Sequence, residues 1–175
     1  VETCKNFADM GTGRCGLLLY SKQAGNGKTH LGISTLRKWI LDSYVPLYDK
    51  NGFLPLGASY EIITEPNLFL LIRKSFQVGS DENEYDITYK YTACQFLLID
   101  DIGKYSVSDA SFLQRVWYNI INERYLNNRL TVITSNKNGA ELQSYLGEYT
   151  FDRICGMTHN KITEVIGTSR RRDIK

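Results

Sequence analysis

The sequence predicts an α/β domain: a central, mostly parallel sheet of five strands covered by helices on both faces, a three-layer sandwich. Three observations carry this prediction. Short apolar runs alternate with longer amphipathic stretches along all 175 residues. The stretch "GNGKT", Gly25 to Thr29, directly follows the apolar run "GLLLY" and opens a helical pattern. The run "FLLIDD", Phe96 to Asp101, closes four apolar residues with two carboxylates.

Taken in order, the chain opens with the helical pattern "VETCKNFADM", and its start at Val1 rather than Met predicts a piece of a longer protein. "GLLLY" (16–20) is the first strand. A helix follows from Lys28 to about Leu41, with Ile33, Leu36 and Ile40 on one face. Residues 42–57 read as irregular. "ASYEII" (58–63) is the second strand, and it leads into the helix "TEPNLFLLIRKSF". There Thr64 is the expected N-cap, and Pro66 falls in the first turn, where its missing N–H costs nothing. "GSDENEYD" (79–86), with four acids, reads as a solvated loop before the third strand, "CQFLLI" (94–99). "SDASFLQRVWYNIINERYLNN" is a long helix with Phe112, Val116, Ile120 and Ile121 at helical spacing. "RLTVIT" (129–134) and "KITEVI" (161–166) are the last strands, with a helix carrying Arg153 between them. The first, third and fourth strands lack polar alternation, as parallel strands buried on both faces do.

No repeat, low-complexity tract or linker divides the chain, so residues 1–175 are expected to form one domain. No apolar run nears the roughly 18 residues of a membrane span. The 21 basic and 19 acidic side chains nearly cancel, so net charge alone does not point to nucleic acid. The charges are segregated, however, with four cations in the last six residues, "RRRDIK". Cys4, Cys15, Cys94 and Cys155 lie far apart with no CxxC pair, as expected for reduced, structural thiols of a cytosolic protein.

"GNGKT" is the second half of a phosphate-binding loop, and its place between strand and helix is what such a loop needs. Glycines let successive N–H groups turn toward a phosphate, the helix N-terminus favours negative charge, and Lys28 adds a point charge for the β- and γ-phosphates. Thr29 offers its hydroxyl to Mg²⁺. In the full pattern GxxxxGK[ST], the first glycine position is occupied by Lys22. Asp100 and Asp101 end a buried strand at the edge where α/β sheets bind ligands. Asp100 is suited to hold Mg²⁺ through its water shell, and Asp101 to orient or deprotonate an attacking water. At the end of "TVITSN", Asn136 can reach the γ-phosphate or that water. Arg153 suits a cation given in trans to a neighbouring subunit's nucleotide, and Arg170 and Arg171 suit a contact in cis.

Together and in this order, "GNGKTHL", "FLLIDDIG", "FLQRVWYNIINERYLNNRLTVITSN" and "FDRI…GTSRR" resemble the AAA+ ATPase domain of bacterial replicative-helicase loaders, the DnaC/DnaI family, with the IstB-type transposition helpers as its relatives. The resemblance covers nearly the whole chain. It implies a P-loop fold without a full helical lid, ATP or ADP with Mg²⁺ as cofactors, and Mg²⁺-dependent ATP hydrolysis that is slow in isolation. Gly25, Asn26, Gly27, Lys28, Thr29 and His30 then form the Walker A nucleotide contacts, and Asp100 and Asp101 form Walker B. Asn136 is sensor 1, Arg153 the arginine finger, and Arg170 or Arg171 sensor 2. Implied partners are a hexameric replicative helicase, bound through an N-terminal domain, together with single-stranded DNA and further copies of this chain. No motif marks the DNA contacts; Lys104, Tyr105, Lys137 and Arg172 are candidates. Competing readings are a transposition helper, a nucleotide-gated scaffold without turnover, and a small-molecule P-loop kinase. The last leaves Asn136, Arg153 and "GTSRR" without a shared purpose.

Overall fold

A computed structural model describes residues 2–4, 15–43, 59–105, 110–167 and 169. Five strands form one sheet: β1 (Gly16–Tyr20), β2 (Tyr60–Thr64), β3 (Phe96–Ile102), β4 (Leu130–Ser135) and β5 (Ile162–Glu164). Their order across the sheet is β2-β3-β4-β1-β5, and every pair is parallel. The helices are α1 (Lys28–Ser43), α2 (Glu65–Ser75), α3 (Glu84–Ala93), α4 (Ala110–Leu126), α5 (Gly139–Leu146) and α6 (Glu148–Thr158).

Strand alternation sorts the core into two layers. Leu18, Leu97, Ile99 and Ile133 face a large cluster built with α2, α3, α4, α5 and α6, including Phe69, Val116, Trp117, Ile120 and Met157. Leu17, Leu19, Phe96, Leu98 and Val132 face the other side, against Leu36 and Trp39 of α1 and Cys4. The expected three-layer α/β architecture is therefore the one observed. Among the described residues no helix follows β5.

Three sequence readings need correction. The buried face of α1 is Gly32, Thr35, Leu36 and Trp39, whereas Ile33 is 46% exposed. Close approach sets this phase: a Cβ on Gly32 would meet Leu98 Cδ1 at 2.8 Å, so the helix lies hard on the sheet along that line. The acidic stretch 79–86 is not all loop. Asn83 caps α3 by accepting from the Asp86 N–H (3.0 Å), Asp86 returns a bond to the Asn83 N–H (3.3 Å), and Glu84 and Asp86 sit where the helix dipole favours them. Helix α5, absent from the sequence reading, starts with the same device, Asn138 and Glu141. Thr64 does stand at the N-cap of α2, but its side chain makes no capping bond.

Of the expected first helix, residues 2–4 are helical and the remainder lies outside the described residues. Most of the stretch 42–57 also lies outside them, while Asp42 and Ser43 end α1. No described helix is long and apolar enough to cross a membrane. The four cysteines are free thiols.

Candidate nucleotide-binding site

In this strand order, the C-terminal ends of β1, β3 and β4 lie side by side, and the loops leaving them meet at one cavity of about 510 Å³. It is lined by Gly25, Asn26, Gly27, Lys28, Thr29 and His30 from the loop after β1 and the start of α1, by Asp101 and Lys104 after β3, and by Asn136 after β4. Ile33, one turn into α1, adds an apolar wall.

The loop after β1 turns where its glycines are. Gly25 and Gly27 have φ of +84° and +99°, and a Cβ on Gly27 would meet nothing but would be strained. Lys22 is exposed and is not among the described residues with positive φ. The first glycine of the usual pattern is therefore not required by this backbone. Before the turn, the Ser21 N–H donates to Ser135 O (3.1 Å), prolonging the β1–β4 pairing by one step. Asn26, buried, ties the loop inward: its Nδ2 donates to Ser21 Oγ and to the carbonyl of Val165 (2.6 Å), just past β5.

Lys28 is only 5% exposed, and its Nζ donates to Ser21 O (3.2 Å) and Gln23 O (3.0 Å). An ammonium on a flexible stem at the head of a helix, with main-chain carbonyls among its acceptors, can trade some of them for an anion. Thr29 Oγ1 lies 2.9 and 3.1 Å from the two oxygens of Asp100. Thr134 Oγ1 donates to Asp100 Oδ1 (2.6 Å) and accepts from the Asp101 N–H (2.8 Å).

A bulge aims the two carboxylates. Register between β3 and β4 shifts between Ile99 and Ile102, where β3 holds one extra residue, and Asp101 has φ of +60°. Asp101 then points into the cavity. Its Oδ2 pairs with Lys104 Nζ (2.7 Å), and its Oδ1 is approached by Asn136 Nδ2 (3.5 Å). Asn136 Oδ1 is buried with no hydrogen-bond partner among the described residues, an acceptor left for a donor such as water.

Behind the site, Glu65 at the start of α2 is fully buried. Its Oε2 accepts from the N–H groups of Gly103 (2.8 Å), Lys104 (2.8 Å) and Tyr105 (2.9 Å), and its Oε1 from Trp117 Nε1 (2.9 Å). Four donors on one carboxylate fix the backbone immediately after Asp101. Tyr145, whose hydroxyl donates to Tyr105 O (2.7 Å), is held above the usual tyrosine range by burial first and by Glu65 second.

Thr134, Glu65 and Ile33 were not singled out by sequence reasoning. Thr134 carried a signal, a hydroxyl in an apolar strand one residue before Ser135 and two before Asn136. Glu65 carried none, since an acid in a helix's first turn is ordinarily a solvated one. Of the sequence-predicted residues, Asp100 is buried and meets the cavity lining through Thr29, and Arg153 does not line the cavity. Arg153 lies on α6, donates from Nε to Asn122 Oδ1 (3.1 Å), and stacks over the Tyr125 ring at 5.1 Å. Arg170, Arg171 and Arg172 lie outside the described residues. Tyr105 stacks on Phe69 at 4.9 Å with Arg73 over its ring, and Lys137 lies over Tyr145, so both are occupied by packing.

The cavity has the chemistry to take Mg²⁺ and a nucleotide. The Thr29 hydroxyl and Asp100 carboxylate are hard oxygen donors, too few to cage a metal alone, as suits Mg²⁺ that also binds phosphates. The turn at Gly25–Gly27 and Lys28 suit the phosphates themselves, whereas the Asn136 oxygen, an acceptor, suits a water.

The fold is that of AAA+ P-loop ATPase domains. No family model matches the chain. It is similar to the replicative helicase loader DnaC of Buchnera aphidicola subsp. Schizaphis graminum, 24% identical over 155 residues, which cover 88% of this chain. The chain spans only 56% of that relative's length. Among solved structures, it superposes on the DnaC helicase loader with a TM-score of 0.68 and 24% identity, over 94% of this chain and 87% of the other. DnaI gives 0.70 and 20% identity, over 97% and 81%. The replication initiator DnaA, bound to AMPPCP and single-stranded DNA, gives 0.67 and 17% identity, over 95% and 45%.

Proposed function

We propose that this chain is the ATP-binding and ATP-hydrolysing domain of a replicative-helicase loader, acting in the cytoplasm with single-stranded DNA and a hexameric helicase. The observation that carries the reading is the bridge between Thr29 and Asp100, which joins the phosphate loop to the carboxylate pair at a cavity of nucleotide size. The similarity to DnaC supports the loader role, and the AMPPCP bound by the DnaA structure supports the choice of nucleotide.

When bound, ATP with Mg²⁺ supplies the phosphoryl group to be transferred. Gly25, Asn26, Gly27 and His30 shape the loop that receives the phosphates, and Lys28 neutralises them. Thr29 and Asp100 hold the metal. Asp101 orients the attacking water and takes its proton, while Asn136 fixes that water and the terminal phosphate. Arg153, turned away from the chain's own cavity, serves a neighbouring copy's nucleotide, and Arg170 or Arg171 contacts the nucleotide in cis.

The test is titration of a fluorescent ATP analogue with and without Mg²⁺, followed by turnover with and without single-stranded DNA. Mg²⁺-dependent binding with DNA-sensitive turnover is expected. Arg153→Ala should keep the affinity and lose the DNA-stimulated turnover, and equal loss of both would count against its role in trans. Helicase binding is tested on the full-length gene product, against a transposase as the competing partner. One observation favours a second reading, a nucleotide-gated scaffold without turnover: the ammonium of Lys104 sits on Asp101. Binding with no turnover under any condition would select it.

A further inference from the structure

Lys104 is three residues past Asp101 and lines the same cavity. Its Nζ is 2.7 Å from Asp101 Oδ2. In this pairing the ammonium covers an oxygen of Asp101 that an attacking water would use. The pair is half open to solvent, with side chains 48% and 30% exposed, so it contributes little to stability and exchanges easily.

We propose that Lys104 moves between two anions, Asp101 and the terminal phosphate of a nucleoside triphosphate, and so frees Asp101 only when there is a phosphoryl group to transfer. The inference rests on the ATP-binding reading above and deepens it to the regulation of that site. Three features of the geometry support it. Glu65 clamps the Lys104 N–H, so the backbone is fixed and only the flexible side chain travels. Asn136 approaches the other oxygen of Asp101, and the bulge fixes its backbone, so Asp101 keeps its aim when Lys104 leaves. A terminal phosphate carries more charge than one carboxylate, and ADP lacks it, so the exchange distinguishes triphosphate from diphosphate. Lys104 thus contacts the terminal phosphate itself and uncovers Asp101 as it does so.

The experiment measures Mg²⁺-dependent affinities for ADP and for a non-hydrolysable ATP analogue in six proteins: wild type, Lys28→Ala, Lys104→Met, Lys104→Arg, Asp101→Asn, and the Lys104→Met/Asp101→Asn pair. Methionine keeps the apolar stem and removes the charge. Lys104→Met is expected to weaken the ATP analogue about tenfold while changing ADP by less than about twofold, the worth of one charged hydrogen bond. Lys104→Arg should restore the preference. Asp101→Asn, which releases the ammonium, should tighten the ATP analogue severalfold when Lys104 is present and not in the double variant. Equal changes for both nucleotides in Lys104→Met, no change in either, or the same Asp101→Asn effect in both backgrounds would overturn the proposal. If wild type binds and Lys28→Ala abolishes binding while Lys104→Met leaves the ratio unchanged, only the Lys104 proposal fails. If wild type binds neither nucleotide, the ATP-binding reading fails with it.

Discussion

Lys28 and Arg124 are buried cations near opposite ends of the same sheet, and both are satisfied by main-chain carbonyls. Lys28 stands at the C-terminal ends of the strands, with its Nζ 3.0 and 3.2 Å from carbonyls of its own loop and an open cavity beside it. Arg124 stands at the N-terminal ends, fully buried, and donates to Tyr91 O (2.7 Å), Cys94 O (2.9 Å), Leu130 O (2.6 Å) and Thr131 Oγ1 (2.8 Å). Burial pushes its guanidinium down to about 10, which leaves it charged at neutral pH. The planar fork of arginine suits several fixed acceptors at once, whereas an ammonium is a point charge that can change partners. Burial and satisfied hydrogen bonds therefore do not separate a cation of the candidate site from one packed into the core. The opening beside it does.

This contrast can be broken experimentally. Arg124→Met strands the carbonyls of Tyr91, Cys94 and Leu130 and should cost about 3–5 kcal/mol in urea unfolding, while any folded fraction still binds nucleotide. Loss of binding with unchanged stability would reverse the assignment. Lys28→Ala should do the opposite, weakening ATP affinity by about a hundredfold or more with little change in melting temperature. Glu65→Gln keeps the shape but offers an amide NH₂ where donors converge. A loss of about 2 kcal/mol is expected, with a shifted Trp117 emission, and unchanged emission would separate Glu65 from the loop after β3.

The smallest effect is one of pH. Burial raises the thiols of Cys94 and Cys15 above the ordinary range. Below about pH 8.5 both folded and unfolded chains keep these protons, so stability is unaffected; above it the unfolded chain ionises first and stability falls. The urea midpoint should hold up to about pH 8.5 and fall as the pH rises beyond it, and Cys94→Ala should reduce the fall. An equal fall in the variant would place the titration elsewhere.

The glycine turn after β1, the paired carboxylates and Asn136 were legible because their signals are local: each lies within a few residues of a strand that apolar runs reveal. The start of α3 was misread because acids in a first turn look like acids in a loop; the Asn83–Asp86 and Asn138–Glu141 spacings held the clue. The polar partners behind the site were not legible. Glu65 meets Gly103 and Trp117 at separations of 38 and 52 residues, and Thr29 meets Asp100 across 71.

Periodicity and motif spacing thus settled the class of fold and most element types, and marked the glycine turn after β1, because backbone preferences act over short distances. Which side chains share a charge was decided by the parallel order β2-β3-β4-β1-β5 and the bulge in β3. Those bring Lys104 and Asn136 to Asp101, Thr29 and Thr134 to Asp100, and turn Arg153 away, since contacts between distant segments exist only once the sheet has chosen its neighbours.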